Sequence, residues 1–488
     1  MPDAPPSQEG FIPAIMVRNH NPVEIAKIFS RARAAQDQWR RYSLTQRVRA
    51  LRGLWSLVQD SRERVVSVVH GETGKPVAEI ESMEIDGAEL ILKFFTRNAH
   101  RILQDQAVPR PWPLLNKRAY VRHVPRGTVG LITPWNMPFL IPFGDAIPAL
   151  LAGNAVVLKP SEWTTGTALL IEDRVRASGL FPEGLLQVAV GDATVGAQVA
   201  HDADMVVFTG STSAGRKVAA AAAERLVPVV LELGGKHPMI VAEDAPLRRA
   251  AKAAVWGGFA NCGQLCVGVE RVFVEKSVYE RFVQAVEAEI AALRQGLNGG
   301  YDVDVGRLIV PGQLEVVERH IEDARAKGAR VSGGEVLDRK SLLVSPALVL
   351  DAKPDMLVMR EETFGPVLPI MPVRTVSEAI RLANDGPHGL AASVWTRDLS
   401  RGEEWAALLE AGLVSVNDLL SHYVVCSLPF GGFKDSGLGR RHSDEGLRMF
   451  CEPQSVLVHE WPADTPELWW FPYDRLKSRI LSWLARLS

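Results

Sequence analysis

The sequence predicts an α/β fold with two covered, largely parallel sheets. Three observations carry that expectation. From Gly127 onward, short apolar runs alternate with helical patterns: "TVGLIT", "NAVVLK", "LLQVAV", "MVVFTG" and "VPVVLEL". Fully apolar runs of about five residues suit strands buried on both faces. A second set follows Glu232, namely "PMIVA", "RVFVEK", "ALVL", "LPIMPV" and "LVSVN", with amphipathic stretches such as "YERFVQAVEAEIAALRQG" between. The chain also has 488 residues, too many for one hydrophobic core, so two or three domains are expected.

Taken in order, residues 22–103 read as helices. Ile25, Phe29 and Ala32 form one helical stripe, and Val48, Leu51, Leu54 and Leu57 form the next. The segment "VPRPWPLLNKRAYVRHVPRG" is rich in Pro and β formers and predicts an extended arm. The α/β runs follow. The end, "PELWWFPYDRLKSRILSWLARLS", predicts an amphipathic tail helix. Leu476, Ile480, Trp483, Leu484 and Leu487 share one face, and Arg475, Lys477, Arg479 and Arg486 add positive charge. A helix of about 15 residues spans about 22 Å, too short to cross a bilayer. It suits a membrane interface or a docking site on a subunit.

Composition narrows the function. Net charge is -2 and no long Lys/Arg run is present, so nucleic acid is not an expected partner. The first residues lack the basic-then-apolar pattern of a signal peptide, and no apolar run reaches about 18 residues. Four cysteines in so long a chain make no disulfide framework, which points to the cytoplasm.

Two of those cysteines, Cys262 and Cys266, lie in "GFANCGQLCVGVERV". Their spacing fits neither a zinc site nor a C-x-x-C redox pair, so no metal site is expected. Two small core residues is the local reading, and one nucleophile is the alternative. Other polar residues fall where predicted strands end: Asn136 after "GLITPWNMP", Lys159, Ser161 and Glu162 in "NAVVLKPSEWT", Gly210 and Ser211 in "VVFTGSTSAG", and Glu232 in "LELGGK". Ligand sites of open α/β sheets lie at such ends. The G-x-G-x-x-G dinucleotide fingerprint is absent.

Together and in this order, "PWNMP", "KPSE", "FTGST", "LELGGK", "NCGQLC", "EETFGPV", "GLAASVW" and "LPFGGFKDSGLGR" resemble the aldehyde dehydrogenase superfamily over about residues 20–460. The resemblance implies an NAD-binding Rossmann-like domain (1–103 and 127–234) and an α/β catalytic domain (235–451). It adds a small β oligomerisation arm (104–126 and 452–461), leaving a tail at 462–488. It implies a homodimer or homotetramer that oxidises an aldehyde through a cysteine thioester. Cys266 is then the nucleophile, Asn136 the oxyanion donor and Glu232 the general base. The cofactor site would comprise Ile132, Thr133, Pro134, Trp135, Lys159, Ser161, Glu162, Phe208, Gly210, Ser211, Gly215, Leu233, Gly234, Glu362 and Phe364. Glu162 would repel a 2′-phosphate, which favours NAD over NADP.

Two departures from the family pattern bear on the substrate mouth. Asp145 stands where many members have Lys, and Arg441 where many have Glu, which predicts an ion pair with its signs exchanged. Gly144 replaces a bulky aromatic, so a wider mouth is expected, with Met137 beside it. A bulky, long-chain or aromatic aldehyde fits this reading. "GRRHSDEGL" also resembles a succinate-semialdehyde dehydrogenase branch. A non-catalytic relative with the same fold is the reading from another class.

Overall fold

The computed structural model describes residues 18–111, 114–462 and 464–486. Helices Pro22–Trp39 and Leu44–Asp60 form where the apolar stripes predict them. Each opens on a capping box, Asn21 with Glu24 and Ser43 with Gln46, which satisfies amide groups that the helix leaves unpaired. Ile25, Phe29, Ala32, Val48, Leu51 and Leu54 are buried. Leu57 is only half-buried, and the neighbouring Val58 takes the core position instead.

Five parallel strands form the first sheet, in the order Val229–Glu232, Met205–Thr209, Thr128–Ile132, Ala155–Lys159, Leu186–Val188. A short strand, Gly437–Leu438, joins antiparallel on the Val229–Glu232 edge. Every residue of the three central strands is buried, as their unbroken apolar runs require. The second sheet runs Arg330–Ser332, Ala347–Leu350, Val367–Val373, Val269–Glu275, His237–Val241, Ala391–Trp395, Leu413–Val416. It is parallel except for the Arg330–Ser332 edge. Each sheet has its own large apolar core.

The extended segment is a sheet as well. Lys117–Pro125 pairs antiparallel with Cys451–His459 along its whole length, and Gln106–Ala107 adds a third strand. Beyond it the tail forms the helix Arg475–Arg486, none of whose residues is buried. Leu487 of the predicted stripe lies outside the described residues. Among the described residues no helix is long and apolar enough to cross a membrane.

Candidate active site

The carboxyl ends of the first sheet are level with one another. Ile132 pairs with Lys159 on one side and Phe208 on the other, and Thr209 pairs with Glu232. The turns leaving these ends therefore gather at one rim. A cavity of about 320 Å³ lies there. Asn136 and Glu232 from the first sheet line it together with Cys266, which enters from the second sheet's side. Pro134, Trp135, Gly210, Ser211, Leu233, Gly234, Glu362 and Phe364 line it too. Ile132, Thr133, Lys159, Ser161, Glu162, Phe208 and Gly215 do not line it; all but Gly215, which lies in helix Thr212–Ala223, occupy neighbouring strand ends and turns.

Of the four cysteines, only Cys266 is half-exposed; Cys262, Cys426 and Cys451 are buried. The approach to Cys266 explains the difference. Asn261, Cys262 and Gly263 are successive left-handed residues, with φ of 51°, 56° and 74°. Such a conformation costs roughly 1–3 kcal/mol at a non-glycine residue. Hydrogen bonds hold it. Asn261 Nδ2 donates to the Asn136 carbonyl at 3.0 Å and the Gln264 carbonyl at 3.1 Å. Gln264 Nε2 donates to the Asn261 carbonyl at 2.8 Å, and its Oε1 accepts from the Ile309 N–H at 2.9 Å. At Gly263 a Cβ would sit 2.2 Å from the Gly365 carbonyl oxygen, so only glycine fits. Burial, with the Glu362 and Glu232 carboxyls adding to it, pushes the Cys266 thiol up to about 12. The resting group is a thiol and needs a base.

Asn136 is buried, and its Nδ2 donates to the Gln264 carbonyl at 2.9 Å. An amide carries two N–H groups, so one remains for the cavity. The Asn136 main-chain carbonyl accepts from Lys75 Nζ at 2.9 Å. Lys75 is fully buried and paired with Glu84 at 2.5 Å. The other Glu84 oxygen accepts from the N–H groups of Phe139 and Leu140 at 3.0 and 2.8 Å. That carboxylate caps the helix Leu140–Ala152. The sequence reading missed Lys75, Glu84, Asn261 and Gln264 as supports. Gln264 lay inside a quoted motif; a charged pair within a helical pattern gives no such signal.

Glu232 ends its strand in a buried position. Among the described residues its carboxyl oxygens have no hydrogen-bond partner. Burial raises its pKa to about 8, with Arg441 opposing and Asp145 adding to the shift. Glu362 is raised to about 7 by burial and the nearby Glu270, and accepts from the Gly235 N–H at 3.0 Å. Phe364 sits at φ 49° and meets Trp135 edge-on, ring centroids 5.5 Å apart. Glu270 holds this turn, accepting from the Thr363 and Phe364 N–H groups at 3.1 and 2.9 Å while paired with Lys236 at 2.6 Å. Lys236 and Glu270 also escaped the sequence reading.

The space between helix Thr212–Ala223 and Glu362 is kept open by glycines. Ser211 caps that helix, accepting from the Ala214 N–H at 3.3 Å. A Cβ on Gly210 would lie 2.7 Å from the Phe208 ring, and one on Gly234 would lie 2.4 Å from the Glu362 carboxyl. Helix N–H groups open toward this cradle, which fits a dinucleotide pyrophosphate. Lys159 and Glu162 lie 3.7 Å apart beside it. Burial lowers the Lys159 pKa against the pull of Glu162.

At the mouth the exchanged pair is present. Arg441 Nε donates to Asp145 Oδ1 at 2.8 Å and its Nη2 to Oδ2, a buried two-point contact. Burial works against the Arg441 charge, but Asp145 outweighs it and raises the pKa. Arg441 lines the cavity; Asp145 stands behind it. Gly144 and Met137 require correction, for neither lines the cavity. A Cβ on Gly144 would meet Ile91 at 3.0 Å, so that side of the helix is pressed onto helix Asp86–Leu103 and cannot widen a mouth. Met137 turns inward, its sulfur 3.3 Å from Lys75 Nζ. Ile141, Leu390, Tyr423 and Phe430 form the wall instead.

The profile of the "Aldehyde dehydrogenase family" matches residues 11–456. A Methylomonas protein named 4,4'-diapolycopene aldehyde oxidase is 40% identical over 93% of this chain and 85% of its own. A provisionally named NADP(+) succinate-semialdehyde dehydrogenase of Mycolicibacterium smegmatis is 38% identical over 89% of this chain and 84% of its own. Among solved structures, the NAD-dependent aldehyde dehydrogenase of Sinorhizobium meliloti superposes with a TM-score of 0.88 at 31% identity, covering 93% of this chain and 90% of the other.

Proposed function

The chain belongs to the aldehyde dehydrogenase family and is an oxidoreductase acting on aldehydes; on that premise we propose that it oxidises a bulky, long-chain or aromatic aldehyde to the acid, with NAD preferred to NADP. One observation carries the proposal. Cys266, Glu232 and Asn136 share a cavity whose wall is Ile141, Leu390, Tyr423 and Phe430 and whose two arginines, Arg441 and Arg319, are paired with Asp145 and Glu361. An apolar chain suits such a wall. A substrate carboxylate would find Arg441 engaged. The Methylomonas relative, named for an aldehyde of 4,4'-diapolycopene, supports the same direction.

Each step then has a residue. In its ionised form Glu232 takes the proton of Cys266 Sγ. The thiolate adds to the carbonyl carbon, and the carbonyl electron pair moves to oxygen. The Asn136 side-chain N–H and the Cys266 backbone N–H hold that alkoxide. When bound, a nicotinamide supplies the hydride acceptor that turns the Cys266 thiohemiacetal into a thioester. Glu232 passes the first proton to solvent and then deprotonates a water, whose oxygen attacks the thioester carbon. The C–S bond breaks and sulfur leaves with its electron pair.

Gly210, Ser211 and the helix they open would hold the pyrophosphate, Lys159 and Glu162 the adenine ribose, and Glu362 the nicotinamide ribose, with Phe364 and Trp135 beside the ring. In this reading residues 1–103, of which 1–17 lie outside the described residues, and 127–234 make up the cofactor domain, 235–451 the catalytic domain, and the arm the surface through which copies pair. A panel of decanal, benzaldehyde and succinate semialdehyde, read by reduced-cofactor absorbance, tests the substrate. The apolar aldehydes should give the higher kcat/KM. A preference for succinate semialdehyde would overturn the reading and mean that Arg441 exchanges Asp145 for the substrate. Equal or better kcat/KM with NADP would overturn the cofactor assignment.

A further inference from the structure

We propose that the segment from Trp461 to Arg486 docks the protein on an anionic lipid surface. Its root is fixed. The Lys117 ammonium, on a strand of the arm, binds the Glu467 carboxylate and His459 Nδ1, and stands 6.0 Å from the Trp469 ring centroid. From that clamp the chain presents Trp470, Phe471 and Tyr473 to solvent, with Trp461 exposed nearby. Helix Arg475–Arg486 then carries four cations, Arg475, Lys477, Arg479 and Arg486, and no acidic residue.

The faces of that helix are arranged for an interface. Ile480, Leu481 and Leu484 are half-buried. Leu476 and Trp483 remain exposed, at 68% and 58%. At about 100° per residue, Arg475, Arg479 and Arg486 fall within a sector of roughly 40° bordering Trp483 and Leu476. Cations beside Trp and Leu match the level where lipid headgroups meet acyl chains. The helix has 12 residues, about 18 Å, against a hydrocarbon core of about 30 Å, so it lies in the interface rather than across it.

Charge separates this occupant from a second copy of the chain. An open groove beside the exposed Trp256 is lined by Arg248, Arg249, Lys252 and Arg397, with Asp418 its one acid. That groove would repel a basic helix, whereas an anionic membrane attracts it. The inference does not rest on the substrate assignment, and lipid binding is read without any aldehyde.

The full-length protein is floated with vesicles of phosphatidylcholine alone or with added phosphatidylglycerol. Binding to the anionic vesicles should be about tenfold tighter or more and should weaken as salt rises. The double variant Leu476→Glu with Trp483→Glu should release the protein from vesicles. It should keep its mass by light scattering and its turnover of a short, water-soluble aldehyde. Arg475→Glu with Arg479→Glu should remove the preference for phosphatidylglycerol. A full-length protein that stays off both vesicle types overturns the proposal, as does equal binding to both. A Leu476→Glu, Trp483→Glu variant that stays on vesicles but loses assembly mass also overturns it and assigns the helix to a second copy.

Discussion

Glu232 is a carboxyl placed where ionisation is costly, and that placement makes two measurements informative. Its pKa is raised by burial to about 8. The folded value exceeds the ordinary 4.5, so the native state resists losing this proton. The resulting destabilisation is absent below about pH 4.5, grows as pH rises, and is complete above about pH 8. Glu232→Gln removes it. The Tm gain of that variant should therefore be larger at pH 9 than at pH 5; a gain that shrinks with pH would show that Glu232 is not held protonated. The same variant should slow thioester hydrolysis more than thioester formation, so a burst of reduced cofactor should precede a slower steady state. At Cys266 the expectation is selectivity. Iodoacetamide should label it ahead of the buried Cys262, and Cys266→Ala should abolish acid formation while Cys262→Ala keeps most activity. Faster labelling at Cys262 would reverse the assignment.

At the scale of elements, contacts between distant segments shape the site. The Asp145–Arg441 pair joins helix Leu140–Ala152 to a segment 296 residues away. Both side chains are buried, so removing one partner strands the other's charge at a cost of about 3–5 kcal/mol. Asp145→Lys should lower stability by that order in urea unfolding. Asp145→Lys with Arg441→Glu should restore part of the loss, because attraction returns with its signs reversed. A double variant no better than the worse single would mean that shape, rather than charge, decides this contact. The exchanged signs were legible in sequence because two departures from one pattern compensated each other. The Lys75–Glu84 pair was not legible, because its partners, the Asn136 carbonyl and the amides at 139 and 140, are backbone groups without side-chain identity.

For the whole molecule, the site is shared between the two sheets. Ser211, in the proposed cofactor cradle, follows a strand of the first sheet, while Cys266 precedes Val269–Glu275 of the second. Cofactor affinity and thiol chemistry should therefore be separable. NAD at about 100 times its Kd should stabilise the protein by about 2.7 kcal/mol. That thermal shift should survive Cys266→Ala. Ser211→Asp should lose it, by placing an anion where the pyrophosphate is proposed to sit, and should leave iodoacetamide labelling of Cys266 intact. Loss of labelling in Ser211→Asp would show that the two halves cannot be perturbed independently.

The sequence by itself determined the element types, because burial on both faces demands unbroken apolar runs; it put Glu232 and Asn136 at strand ends, while Cys266 was singled out only by the resemblance of its motif. It also announced the arm through β formers and prolines. Strand order, the antiparallel edges at Arg330–Ser332 and Gly437–Leu438, and the strand Ala391–Trp395 emerged only in three dimensions. The direction of side chains was decided there as well. Gly144 lies in the right helix and Met137 just before it, yet a helix turns about 100° per residue, and packing on Ile91 and Lys75 points them away from the cavity. Periodicity states which residues share a face; only the neighbours of that face decide whether it meets a core, a cavity or solvent.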